Sequence, residues 1–205
     1  AIGYPLIVKP VNLGSSVGIS KVADREELMT ALDLAFTFAD VVLLERAVVK
    51  LKEINCSVLG DEDGAEASVL EEPVAQDKIL SYKDKYMDGG KGGKNGGKSS
   101  GMASLKRKIP AEIEDSVAAE IKDLAVKAFL AMGCSGLVRI DFMLDMAEDK
   151  VYLNEINTIP GSLSFYLWAE TGMNYADQID EMVDCAMRAH QEKERNSFAF
   201  SSDIL

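Results

Sequence analysis

Apolar positions in this chain come first in short bursts and only later in long helical stripes. Leu6 to Lys9 is a brief apolar run stopped by Pro10, which predicts a strand, and Val17 to Val22 alternates as its hairpin partner across a Gly/Ser loop at Asn12 to Gly18. Leu28, Leu32, Ala35 and Phe36 recur at helical spacing, which predicts an amphipathic helix from Arg25 to about Ala39. Asp24 is placed to cap that helix, with Glu27 as its capping-box partner. Val41 to Glu45, Glu53 to Leu59 and Ala67 to Glu71 predict three more strands. Ile79 to Tyr82 leads into a stretch from Asp88 to Gly101 with seven glycines, expected to be mobile unless a ligand orders it. Pro110 is expected to open a long helix to about Met132, ended by Gly133. Gly136 to Asp145 and Lys150 to Asn157 predict a hairpin, and Ser164 to Thr171 and Tyr175 to about Arg195 predict two more helices. Strands and helices mixed without strict βαβ alternation predict an α+β fold.

Composition narrows the options. Hydrophobic residues make up 47% of 205, which supports a real core. No apolar run reaches the roughly 20 residues of a membrane helix. The chain opens directly on a strand, without a signal peptide, as expected of a piece cut at a domain boundary. Cys56, Cys134 and Cys185 lack metal-ligand spacing and read as small buried hydrophobes, and His190 reads as a surface residue. The net charge of −12 argues against nucleic-acid binding. Between Lys83 and Lys108, however, eight basic residues stand against two acidic ones, a local +6. A basic, glycine-rich segment on an acidic body suits a polyphosphate, or a solvated loop.

Three constellations carry candidate chemistry. Lys9 ends a strand and is followed by the small residues of Gly14-Ser15-Ser16-Val17-Gly18, a loop whose backbone N–H groups can approach phosphate, or an ordinary hairpin turn. Arg139-Ile140-Asp141 and Glu155-Ile156-Asn157 place hard oxygen donors on two predicted strands, as magnesium requires; the alternative is a simple Arg139–Asp141 surface pair. For Asp141 to face Glu155, the turn between the strands is expected to have an odd number of residues. Glu45, Arg46 and Val48, with Glu53 beyond them, close a strand in the manner of a nucleotide-binding linker, or simply leave two solvated carboxylates at strand ends.

The order of strand-Lys-Pro with Gly-Ser-Ser-Val-Gly, strand-Glu, Arg-Ile-Asp and Asn-Glu-Ile-Asn-Thr-Ile-Pro-Gly resembles the ATP-grasp superfamily, and within it the D-alanine–D-alanine ligase family. The resemblance runs from about Tyr4 to Ala189. It implies an ATP-grasp fold of central and C-terminal lobes, with mixed and antiparallel sheets flanked by helices. The lobes are expected at 1–60 and 61–205, the second holding the metal site and the Gly/Lys-rich loop. It implies that Lys9 contacts ATP phosphate, that Ser15 and Tyr86 form a hydrogen-bond network at the first substrate, and that Lys85 and Tyr86 belong to a mobile loop. Glu45, Arg46 and Val48 would line the adenine pocket and Glu53 would hold ribose. Arg139 and the Gly161 backbone would form an oxyanion hole, and Asp141, Glu155 and Asn157 would hold two magnesium ions, or manganese. The implied reaction joins two D-alanines through an acyl phosphate for peptidoglycan synthesis, in a cytoplasmic enzyme with no nucleic-acid or membrane partner and a homodimeric full-length parent. The resemblance implies that the family's N-terminal domain lies outside these residues, so the chain alone is expected to be inactive. Tyr166 falls where the family places a serine for the second substrate, and Ser164 is a candidate substitute. Two rival readings are a ligase with another amino-acid or hydroxy-acid acceptor, and a nucleotide-binding module without chemistry.

Overall fold

Strand β1 (Leu6–Pro10) lies between β2 (Ser20–Val22) and β3 (Val42–Arg46), antiparallel to both. A computed structural model describes residues 2–14, 17–74 and 107–196 of the chain. Alternation along β1 buries Leu6 and Val8 with Val22, against Ala31 and Ala35 of helix α1 (Arg25–Phe36). Ile7 and Lys9 therefore point from the opposite sheet face. Asp24 caps α1 by accepting from the Glu27 N–H at 2.9 Å, while the Glu27 carboxylate accepts from the Ala23 N–H at 2.7 Å. The reciprocal cap thus closes one residue outside the expected position. Gly18 is required where it stands: its φ is +73°, and a Cβ there would lie 2.9 Å from Pro10 Cγ.

Among the described residues, this first compact unit runs to Lys50. The expected division at residue 60 would have cut β4 (Leu51–Asp61), which runs unbroken through that position. The second unit is a five-stranded antiparallel sheet of order β6-β5-β4-β7-β8, with β5 at Gly64–Pro73, β6 at Arg107–Lys108, β7 at Gly136–Asp145 and β8 at Lys150–Asn157. One face packs Ile54, Cys56, Val58, Leu70, Val138, Ile140 and Phe142 against Ile121, Ala125 and Phe129 of α2 (Asp115–Ala131). Helix α2 starts five residues later than Pro110, because Ala111 spends its N–H on the Leu70 carbonyl at 2.8 Å and so extends the edge of the sheet. Its end matches expectation, with Gly133 at φ +61°.

At one end of the other face lie α3 (Phe165–Thr171) and α4 (Tyr175–Glu194). Trp168 is fully buried among Leu59 and Leu137, and its indole N–H donates to Ser57 Oγ at 3.0 Å. Ser57 in turn donates to the Val138 carbonyl at 3.0 Å, so no polar atom of this contact is wasted. Cys56 and Cys185 are buried as expected, and Cys134 is partly so. Among the described residues, no helix is long and apolar enough to cross a membrane.

The β7–β8 turn departs from expectation. Asp145 pairs with Lys150, so the turn is an even four residues. With regular pairing, Asp141 would then face Asn154, and Glu155 would fall on the core side. Instead the register shifts at Asp141/Phe142, where Asn154 is the extra residue of a β-bulge, and Asp141 opposes Glu155.

Candidate active site

The sheet face opposite α2 carries a polar row across four strands. Glu71 on β5 opposes Asn55 on β4, Asn55 opposes Asp141 on β7, and Asp141 opposes Glu155 on β8. The neighbouring row is Ser57, Arg139 and Asn157. Arg139 donates from Nε and Nη2 to the two oxygens of Asp141 at 2.6 and 2.7 Å, a bidentate pair of low exposure. That bond, above all else, raises the Arg139 pKa. The Asn157 amide reaches Asp141 at 3.0 Å and Glu155 at 3.5 Å. Glu53, two positions along β4 from Asn55, has its carboxyl raised, first by lost solvation and then by the charges of Asp141 and Glu155.

These residues fit a divalent cation. Asp141, Glu155 and the Asn157 amide, once turned over, are hard oxygen donors on one face. A carboxylate offers about four lone-pair sites, so Asp141 keeps capacity beyond its bonds to Arg139 and Asn157. Behind burial, the charges of Asp141 and Glu155 also raise the Glu53 carboxyl, so acidic side chains gather on this face. Among the described residues no three His, Cys, Asp or Glu side chains converge as a ready-made cage.

At the β5 end of the row sits a cluster of which only Tyr166 was a candidate site residue from the sequence. Glu71 is only 4% exposed; it accepts from Asn55 Nδ2 at 3.3 Å and pairs with Arg107 at 3.5 Å. The Arg107 guanidinium lies 4.5 Å from the centre of the Tyr166 ring. Burial and a hydrogen bond to Glu71 push the Tyr166 hydroxyl up to about 12, so it remains a neutral donor. Asn55 inside an apolar strand was the available signal for this cluster; its partners became identifiable only through strand pairing.

Between β8 and α3 the backbone makes an unusual turn. Ser162, Leu163 and Ser164, none of them glycine, have φ of 56°, 50° and 48°. Left-handed residues cost roughly 1–2 kcal/mol each and rarely occur in succession. Gly161, the expected oxyanion donor, begins this turn. Ser164 is fully buried and its hydroxyl has no hydrogen-bond partner among the described residues, while Tyr166 is half-buried.

In the first unit, Lys9 Nζ lies 2.6 Å from Glu45 Oε2, on the sheet face away from α1. Arg46 ends β3 opposite Leu6, and Val48 follows it. Ser15, Lys85 and Tyr86 lie outside the described residues, as does the glycine-rich segment from Asp88 to Gly101.

Comparison with solved structures defines the class. A D-alanine–D-alanine ligase from Coxiella burnetii matches with a TM-score of 0.73 and 27% identity, over 93% of this chain and 47% of that one. The VanG D-Ala:D-Ser ligase from Enterococcus faecalis matches with a TM-score of 0.72 and 29% identity, over 90% of this chain and 50% of that one. The fold is therefore the ATP-grasp fold of these ligases. In sequence, the D-alanine–D-alanine ligase of Thermoanaerobacter sp. strain X514 is 42% identical over 196 residues, covering 94% of this chain and 50% of the relative. That of Thermosipho africanus is 37% identical over 202 residues, covering 98% and 51%. The family model described as D-ala D-ala ligase C-terminus matches residues 1–184, and the chain belongs to that family. It spans about half the length of the curated relatives it matches.

Proposed function

We propose that this chain is the ATP-binding half of a D-alanine–D-alanine ligase, completed by the other half that its relatives carry. The observation that carries this reading is the Glu71–Asn55–Asp141–Glu155 row with Arg139 locked beside it, in a chain of this family. ATP transfers its terminal phosphoryl group to the carboxylate of the first D-alanine, giving an acyl phosphate and ADP. The amine of the second attacks the acyl carbon, and phosphate leaves as the peptide bond forms.

Lys9 and the Gly14-Ser15 loop bind ATP phosphate, Glu45, Arg46 and Val48 receive adenine, and Glu53 receives ribose. Arg139, always protonated, and the Gly161 N–H stabilise the oxyanion of the tetrahedral intermediate. Asp141, Glu155 and Asn157 would hold magnesium, which when bound neutralises charge on the phosphoryl oxygens. Ser15 and Tyr86 would form a hydrogen-bond network at the first substrate, and Lys85 and Tyr86 would belong to the mobile loop that keeps water from the acyl phosphate. Cytoplasmic location, dimerisation of the complete protein and the lack of nucleic-acid or membrane partners belong to the same reading.

The test is ADP release by the complete ligase with D-alanine, magnesium and ATP, against the Asp141→Asn, Glu155→Gln double variant. Equal rates from the two proteins would refute the enzyme reading.

A second reading changes the acceptor. Tyr166, fixed to Glu71 and stacked under Arg107, stands where a serine was expected, and one structural relative is named a D-Ala:D-Ser ligase. A panel of D-alanine, D-serine and D-hydroxy acids as acceptors, scored by product mass, separates the two.

A further inference from the structure

Gln178 is fully buried on the first turn of α4. A buried amide is retained when its hydrogen bonds are made, yet Oε1 here has no partner. The side chain makes one hydrogen bond, from Nε2 to the carbonyl of Leu163 at 2.7 Å. Leu163 is the middle residue of the left-handed run at 162–164. The Leu163 N–H donates back to Pro160 at 3.1 Å, which closes the turn around Gly161. Helix α4 is itself fastened to β4: Arg188 binds Asp61 at 2.6 Å, and the Cys185 thiol lies 3.3 Å from the Gly60 carbonyl. Gln178 thus links a strained turn to the rigid sheet. Strained backbone persists only when its surroundings hold it.

We propose that Gln178 is a positioning residue of the ligation reaction: it holds residues 162–164 left-handed and so keeps the Gly161 N–H aimed at the reacting carbonyl. The assignment rests on the ligase reading above.

In the complete ligase, Gln178→Leu should lower kcat by about tenfold or more, as displacement of a catalytic donor does, with KM for ATP within about twofold of the parent. Amide hydrogen exchange at 162–164 should accelerate in the same variant. Adding Ser162→Gly should recover much of the lost kcat, because glycine adopts positive φ without strain. Gln178→Met, close to glutamine in length and shape, is the fallback should Gln178→Leu fail to fold, with the same expectations. Faster exchange with unchanged kcat would show a structural role only and overturn the proposal. So would a loss of kcat that Ser162→Gly does not relieve. If the unsubstituted complete protein shows no D-alanine-dependent turnover, the ligase reading itself is overturned, an outcome distinct from failure of the Gln178 variants alone.

Discussion

Arg139 grips Asp141 through two hydrogen bonds of 2.6 and 2.7 Å from two positions away on the same strand. The pair fixes one carboxylate at the strand position opposite Glu155. Asp141→Asn should therefore do two things that Glu155→Gln does not do together. Magnesium should raise the urea midpoint of the parent chain, and both variants should lose that rise. Only Asp141→Asn should also weaken the metal-free fold, by about 1–3 kcal/mol, because it leaves a partly buried guanidinium short of its acceptor. Urea unfolding with and without magnesium measures both effects; equal behaviour of the two variants would refute the assignment.

Glu53 supplies a pH test. Its carboxyl is raised in the fold, so its favourable contribution is complete below the unfolded value of 4.5 and is lost as pH rises through the folded value. At neutral pH an ionised Glu53 therefore works against folding. Glu53→Gln should be more stable than the parent at pH 7 without metal, and the advantage should fade as the pH approaches 4.5 and below. Magnesium should narrow the same gap at pH 7. Denaturant midpoints across that range are the measurement, and a gap that widens toward low pH would contradict the assigned sign.

Tyr166→Phe removes one hydrogen bond to a buried carboxylate. Glu71 keeps Asn55 and Arg107, so the cost should be about 1 kcal/mol, rather than unfolding. If Tyr166 borders the acceptor, the kinetic effect should fall on KM for the second substrate and spare KM for ATP. Steady-state kinetics on the complete ligase tell the two apart.

Lys9→Met should behave in the opposite way. The Lys9–Glu45 pair is partly exposed, and such pairs contribute at most about 1 kcal/mol. Thermal stability should hardly change, while ATP affinity in titration calorimetry should fall by about tenfold or more if the ammonium meets phosphate.

Most of the architecture was legible in the apolar spacing, because each element buries one face and period 2 or 3.6 reports it directly. Helix α2 was misjudged at its start because Pro110 is a generic helix opener, whereas the backbone there is claimed by Leu70, a partner distant in sequence. The facing of Asp141 and Glu155 was required by the chemistry, but its cause was not the turn length; a bulge at Asn154 leaves no distinct residue signature. Glu71 and Arg107 escaped notice because a row across a sheet is assembled from four separate stretches of chain. The left-handed turn at 162–164 was invisible for another reason: nothing in Ser-Leu-Ser suggests positive φ.

The bulge at Asn154 separates two things that a regular hairpin keeps tied together. Between it and the closing Asp145–Lys150 pair lie the rungs Leu144–Val151, Met143–Tyr152 and Phe142–Leu153. Residues inserted between Glu148 and Asp149 would lengthen the tip and leave that ladder, and the carboxylates beyond it, in place. The tip is thus a grafting position for a fluorophore or an affinity peptide, remote from the chemistry yet rigidly coupled to the strand that carries it.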